Sequence, residues 1–398
     1  MCATRPIPES IAAALRAEGG KVTFARFMEL ALTHPQDGYY SRTDRALGPR
    51  GDFSTAPSLS PAFNESVARL LTELVDASLA TAADAELPLG IVELGGGEGH
   101  LVRAVLDSWN SVRQDLRARI AYCIVEVGAG LLRRQKKAVA DLRNAGWEVR
   151  WGPDIGQACA GVAPAVIVGN EFVDALPVHV IDVSMAAPRE AWVVADDDLA
   201  LTWRELSPQA AGELELLCGT MNSAALRAIT QDGIIEVRPD VSRFFRELSR
   251  VMPSGCLVTI DYGDWFYETP RLQGAFQPRE ELLKPGGSRH RTVRGYFRHQ
   301  LSGDPLERVG RQDLTADVDF GALDLHGRLA GFETVIFTSL AAFLFAGGGG
   351  QEPLIPRELP CCILSDPLEA DRQSTVLDAL LDEGGLGGAF KVMVQVRE

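Results

Sequence analysis

The sequence predicts an α/β protein, with a parallel sheet covered by helices on both faces, an N-terminal helical segment and an inserted α+β region. Three observations predict it. From Leu89 onward, short apolar runs alternate with helical patterns; the first run ends in a glycine-rich turn; and the stretch between Pro177 and Pro253 breaks the alternation with β-rich runs. Strands alternating with helices give a parallel sheet buried on both faces.

Taken in order, residues 5–33 place apolar side chains at helical spacing, with Phe24, Phe27, Met28, Leu30 and Ala31 on one face. His34 to Pro61 reads HPQDGYYSRTDRALGPRGDFSTAPSLSP, a length uncommon for a loop without a function. His34, before Pro35, is expected to fix a turn, and Tyr39 and Tyr40 to pack in the core or a lid. A helix follows from about Ala62 to Ala82. The strands are then LGIVEL, AYCIVEV, EVRW, AVIVGN and, much later, CLVTIDYG, with helices from Leu101 to Trp109 and Leu131 to Ala145. VHVIDV, AWVVAD and LALTWREL look like antiparallel strands of an insertion at about 177–253. After Asp261 a polar segment leads to a helix near Phe320, the run FETVIFTS, the glycines Gly347 to Gly350 and a last strand KVMVQV. The expected division is a helical and lid segment over 1–84 and one elaborated domain over 85–398.

Composition narrows the function. With 398 residues, 46% hydrophobic and 23% charged, the chain can bury a large core. Its 54 acidic against 39 basic residues give a net charge of −15, which argues against nucleic acid or an anionic membrane as partner. No run approaches the roughly 20 apolar residues of a membrane helix. The first twenty residues include Glu9 and Glu18 and lack a signal-peptide core, so a cytoplasmic location is expected. The seven cysteines show no CxxC pair or metal-ligand spacing, so reduced thiols and no metal site are expected.

The most informative residues are IVELGGGEGH. Glu93 closes a buried strand, and Gly95, Gly97 and Gly99 follow at alternate positions before a helix. Such a turn brings backbone close to a ligand and aims helix N–H groups at it. A dinucleotide fingerprint would need its third glycine at position 100, which is His100, and this disfavours a nicotinamide dehydrogenase. Glu126 ends the second strand, where a carboxylate can accept two ribose hydroxyls or simply close an exposed strand end. Asp154, after the third strand, could meet an adenine amino group or cap a turn. The fourth strand delivers Asn170, Glu171 and Asp174 to the same edge.

Together with HPQDGYY, GDFSTAP, NEFVDALPV, IDYG, RTVRGYFRH, QDLTADVDF and GGLGGAFKVMVQV, these residues resemble the MidA-like family of S-adenosyl-L-methionine (SAM) dependent methyltransferases, which includes a mitochondrial complex I assembly factor that methylates an arginine. The resemblance implies the class I methyltransferase fold, a Rossmann-like seven-strand sheet whose last strand, KVMVQV, is antiparallel. It implies SAM as cofactor, with Gly51, Asp52, Phe53 and Thr55 closing over it as a lid. Glu93, Gly95, Gly97, Gly99, Glu126, Asp154 and Asn170 are then the cofactor-side candidates, while Asn170, Glu171, Asp174 and Pro177 line the floor between cofactor and acceptor. The chain departs from the family pattern at Ser58 and Pro61, where a glutamate and a glutamine are usual, at Asn64 in place of a glycine, and at Asp317 in place of a histidine.

The expected function is methylation of an arginine side chain on a partner protein; the alternative is a non-enzymatic SAM-binding assembly factor. A guanidinium stays protonated, with a pKa above about 12, so its site must orient it and hold its charge, which carboxylates do in planar bidentate contact. Glu171 and Asp174, three apart, share a side if a helix starts there, and are the catalytic candidates for such a clamp. The other reading has Glu171 on the cofactor and Asp174 as a helix cap. His290, Arg294, Tyr296 and His299 lie in the most basic stretch, SRHRTVRGYFRHQ, which either meets an acidic partner or pairs with carboxylates of this chain.

Overall fold

A computed structural model describes residues 7–41, 56–81, 87–195, 198–266, 291–298, 300–346 and 375–398. Seven strands form the central sheet: β1 (Leu89–Leu94), β2 (Ile120–Val125), β3 (Glu148–Gly152), β4 (Ala163–Asn170), β5 (Gly255–Asp264), β6 (Glu333–Ser339) and β7 (Phe390–Arg397). Their order is β3-β2-β1-β4-β5-β7-β6, with β1 to β5 parallel and β7 antiparallel between β5 and β6. KVMVQV is therefore the antiparallel strand that the sequence led us to expect. A two-residue strand, Val318–Asp319, adds in parallel to the end of β5.

Strand order reverses between β1 and β4, and the crevice at such a switch point, beyond the carboxyl ends, is where open α/β sheets take ligands. The sheet is rigid there because it is packed on both faces. Phe63, Val67 and Leu71 of the helix Pro61–Thr81 join Trp109 on one side, and Phe245, Phe320, Phe332 and Met393 fill the other. All six residues of β1 are buried, as a strand covered on both faces requires.

The N-terminal region departs from the single helical pattern read over residues 5–33. A helix Glu9–Ala17 is followed by Gly19 and Gly20 at φ +83° and +71°, then by a short strand Lys21–Thr23 and a second helix Phe24–Thr33. The left-handed glycines stop the first helix. The Thr23 hydroxyl caps the second by accepting the Arg26 N–H at 3.2 Å. Phe24, Phe27, Met28, Leu30 and Ala31 are buried as expected.

The insertion does hold antiparallel strands, but its sheet is not built from the insertion alone. Arg189–Ala195 pairs with Leu199–Arg204 on one side and with His179–Asp182 and Lys21–Thr23 on the other, and Ile234–Val237 completes the sheet. The N-terminal segment and the insertion thus share one sheet. A third, three-stranded sheet joins Gln300–Ser302, Arg294–Phe297 and Asp313–Thr315. Among the described residues no helix is long and apolar enough to cross a membrane.

Arg238, at the end of the insertion's last strand and only 8% exposed, ties these parts together. Its guanidinium donates to the carbonyls of Leu176 (3.3 Å), Asp174 (3.3 Å), Asp317 (2.6 Å) and Ala316. Replacing it leaves buried carbonyls without donors. Arg238→Met is expected to lower unfolding free energy by roughly 2 to 4 kcal/mol, read from the urea midpoint at unchanged slope.

Candidate active site

The glycine turn after β1 has the conformation its composition demands. Gly95, Gly97 and Gly99 sit at φ +66°, +50° and +88°, where L side chains are strained, and Gly99 leads into the helix His100–Asn110. At Gly96 a Cβ would lie 2.9 Å from Ile124 Cγ2, so the turn is pressed against β2. Glu93, 6% exposed, accepts the Tyr122 O–H at 2.9 Å, and burial pushes its carboxyl up to about 7.

Glu126 follows β2. Its Oε1 accepts the Gly128 N–H at 2.6 Å and its Oε2 the Gln135 side-chain N–H at 2.8 Å, and each oxygen keeps a further lone pair. Burial raises this carboxyl too. Glu93, Gly95, Gly96, Gly97, Glu126, Asn170, Glu171 and Tyr40 line a cavity of about 230 Å³ closed by Leu101, Leu131 and Phe172. The Asn170 Oδ1 is buried there without a hydrogen-bond partner, which marks a place for a donor from a ligand.

β4 ends at Asn170, and no helix begins after it. Glu171 stands at φ +49°, uncommon for a non-glycine residue, and its N–H donates to the Ile260 carbonyl at 2.9 Å. Asp261, fully buried at the end of β5, accepts the N–H groups of Val173 and Asp174 at 3.0 and 3.1 Å. Glu171 and Asp174 therefore come together on a side-chain-braced turn, and Asp174 caps no helix.

A second cavity, of about 360 Å³, opens on the other side of Glu171. Asp174, Tyr262, Arg294, Tyr296, Asp313, Thr315 and Phe390 line it. Asp174 Oδ2 accepts the Tyr262 O–H, while its Oδ1 is buried and unpartnered. Arg294 is held by Asp317 at 2.7 Å and stacks over the Tyr262 ring at 4.8 Å. The basic stretch is thus paired internally at Arg294, and Asp317, where the family pattern has a histidine, supplies the counter-charge. Asn64, another departure, ties its helix to the short helix Ala56–Leu59 through the Pro57 carbonyl at 2.7 Å.

Glu171 lines both cavities. Its carboxyl is pushed up to about 8, first by burial and then by the charge of Asp174, although the Ala56 N–H and the Asn170 amide pull the other way. Asp261 is raised well above its ordinary range for the same two reasons, burial and neighbouring carboxylates.

Three expectations change. Gly99 does not line the first cavity and packs instead against Gln135 and Ala138. Asp154 accepts the Gln157 N–H at 2.8 Å as the cap of the helix Ile155–Ala158, and it does not line the cavity. Pro177 lines a separate groove of about 880 Å³ beside the second sheet, where a buried Glu190 pairs with His179 at 2.6 Å. Gly51, Asp52, Phe53 and Thr55 lie outside the described residues, as do His290, His299 and the glycines at 347–350. Their neighbours Ala56 and Pro57 do reach the first cavity, through the bond to Glu171 and by lining its wall. His34 holds its turn by accepting the Gly38 N–H, and Tyr40 donates to Asp313 at 2.7 Å. Sequence reasoning missed Gln135, which carries no local motif, and Asp313, which lies within QDLTADVDF without being singled out there.

Comparison with known proteins agrees with this geometry. A family model described as "Putative S-adenosyl-L-methionine-dependent methyltransferase" matches residues 72–338. The mitochondrial protein arginine methyltransferase NDUFAF7 of Mus musculus is 29% identical over 327 residues, covering 76% of this chain and 66% of that protein. Its Homo sapiens counterpart is 29% identical over 328 residues, covering 76% and 65%. The matched region thus spans slightly under two thirds of these relatives, whose names place them in mitochondria and lend the expected cytoplasmic location no support. The crystal structure of a superfamily member from Burkholderia thailandensis bound to S-adenosyl-homocysteine superposes with a TM-score of 0.73 at 28% identity, covering 98% of this chain and 95% of that one.

The raised Glu171 has a consequence for stability. Between the ordinary carboxylate value near 4.5 and its folded value of about 8, the folded state keeps a proton that the unfolded chain has lost. Stability contributed by this group therefore falls as pH rises through that window, and the penalty is absent below it. Glu171→Gln keeps the side-chain carbonyl for Ala56 and removes the charge. It is expected to melt a few degrees above wild type at pH 9, with the gap closing by pH 4, as followed by calorimetry.

Proposed function

This chain belongs to the family of SAM-dependent methyltransferases matched over residues 72–338, and we propose that it transfers a methyl group to an arginine side chain of a partner protein. The observation that carries the reading is the single wall of Glu171 between a cofactor-type cavity and a second cavity, in which Asp174 presents an unpartnered buried oxygen.

The first cavity fits SAM on the chemistry of its lining: a glycine turn at the switch point, a Glu126 carboxyl placed for ribose hydroxyls, and an orphaned Asn170 oxygen. Bound there, the cofactor supplies an electrophilic methyl group on a sulfonium. Glu126 and the turn would hold its nucleoside end, and Glu93 and Glu171, pushed by burial toward the neutral form, would regain negative charge beside a cationic ligand.

In the second cavity Asp174 accepts a guanidinium N–H, while the Tyr262 and Tyr40 hydroxyls donate to Asp174 and Asp313. The acceptor nitrogen gains carbon and must lose one proton, so that the methylated group keeps a single positive charge. Glu171, between the cavities and poised near 8, is the group placed to take that proton. Orientation provides most of the rate, since an in-line approach needs little other help. The names of the curated relatives support arginine as acceptor.

Two measurements test the reading. Incubation with labelled SAM and a lysate from cells lacking the protein should label a protein band and yield methylarginine on hydrolysis; silence, or label on another residue, would sink it. Asp174→Asn should lower kcat by roughly a hundredfold or more, the loss of a charge-assisted contact made to the acceptor, while S-adenosyl-homocysteine affinity stays within threefold of wild type. Weakened cofactor binding in that variant would instead place Asp174 on the cofactor side.

A further inference from the structure

We propose that Gln135 is a positioning residue for cofactor binding, one that fixes the Glu126 carboxylate and the glycine turn relative to each other. It does not line the first cavity. It stands in the helix Ala129–Ala138, fully buried, and its amide meets three elements. The Nε2 donates to Glu126 Oε2 at 2.8 Å and to the Gly97 carbonyl at 2.9 Å, and the Oε1 accepts the Trp151 indole N–H at 3.1 Å.

These partners fix which way the amide faces. The reverse orientation would put its oxygen against a carboxylate and a carbonyl, two acceptors, and its nitrogen against an indole N–H, a donor. Both amide hydrogens are used, one on each component of the cavity wall. Leucine or methionine would fill the same space with no polar group to satisfy, and a buried amide is costly unless fully bonded. The bonds therefore do something packing alone would not. With Gly128 N–H on one oxygen and Gln135 on the other, the Glu126 carboxylate cannot rotate, and its remaining lone pairs are held in place.

The glycines serve this contact. A Cβ on Gly99 would lie 3.3 Å from the Gln135 Cα, and one on Gly96 would lie 3.3 Å from its Nε2. Side chains at either place would press the helix away from the turn and lengthen both bonds. The glycine motif is thus a device for bringing Gln135 within reach as well as for admitting a ligand.

The inference rests on reading the first cavity as the cofactor site, and one calorimetric series with S-adenosyl-homocysteine separates the two. Binding by the wild-type chain supports that reading; no binding overturns it and this inference with it. Given binding, Gln135→Leu is expected to weaken affinity roughly tenfold to hundredfold, the loss of a hydrogen bond to a charged group. In a Glu126→Gln background the same change should cost less than threefold, because both act through one carboxylate. Gln135→Glu supplies a readout that packing would not move. Near pH 6 one proton shared between the two carboxyls keeps the bond to Glu126 but leaves the Gly97 carbonyl without its donor, so affinity should fall below wild type yet stay above its pH 9 value; at pH 9 two facing carboxylates should weaken it at least tenfold further. Should Gln135→Leu fail to fold, this pH profile decides. Wild-type affinity in folded Gln135→Leu, fully additive losses with Glu126→Gln, or a wild-type pH profile in Gln135→Glu would each overturn the proposal.

Discussion

Asp261 accepts the N–H groups of Val173 and Asp174 from β5, and the form of the candidate active site depends on that contact. A carboxylate buried this far is costly unless its oxygens are bonded, and the Tyr262 N–H at 3.0 Å completes the set. Arg238 takes the carbonyls of the same turn from the opposite side. The chain between β4 and the insertion is therefore braced by two remote side chains, with no helical ladder of its own. This bracing is what allows Glu171 to rest at a positive φ and to stand between two cavities.

Carboxyl groups line the sheet's carboxyl edge strand by strand, with Glu93 near the end of β1, Glu126 after β2, Glu171 and Asp174 after β4 and Asp261 on β5. Burial drives each of them toward the neutral form. Among the described residues Arg134, Arg238 and Arg294 offset part of this cost. Ligands of positive charge would relieve it, so the same groups that weaken the empty fold favour binding. Such a trade between stability and function is ordinary at sites selected for activity.

Much of this was legible in the sequence. The alternation after Leu89 implies the sheet, and the odd spacing of Gly95, Gly97 and Gly99 separates this turn from a dinucleotide fingerprint. Glu126 was readable because strand ends in parallel sheets face the ligand. The insertion was readable as β-rich, but its pairing with Lys21–Thr23 was not, since three residues carry too little pattern to reveal a partner so distant in sequence. The turn at Glu171 looked like a helix start because three-residue spacing of carboxylates is the same in either case; only the N–H acceptor Asp261, 88 residues beyond Val173, distinguishes them. Gln135 reads as one more polar residue of a polar helix until its three partners are placed around it.

The shared second sheet bears on how the chain reaches this state. Lys21–Thr23 finds its partner strand about 170 residues later, with Thr23 opposite Trp192. During synthesis at roughly 5 to 20 residues per second, the helix Phe24–Thr33 waits about 10 to 30 s before that strand exists. Throughout this interval Phe24, Phe27 and Met28 lack the surface that finally covers them. The ends of this sheet close a long loop, and such non-local pairing is slow to form. The N-terminal helices thus carry exposed apolar surface on the growing chain until the insertion and the residues around Leu314 have been made.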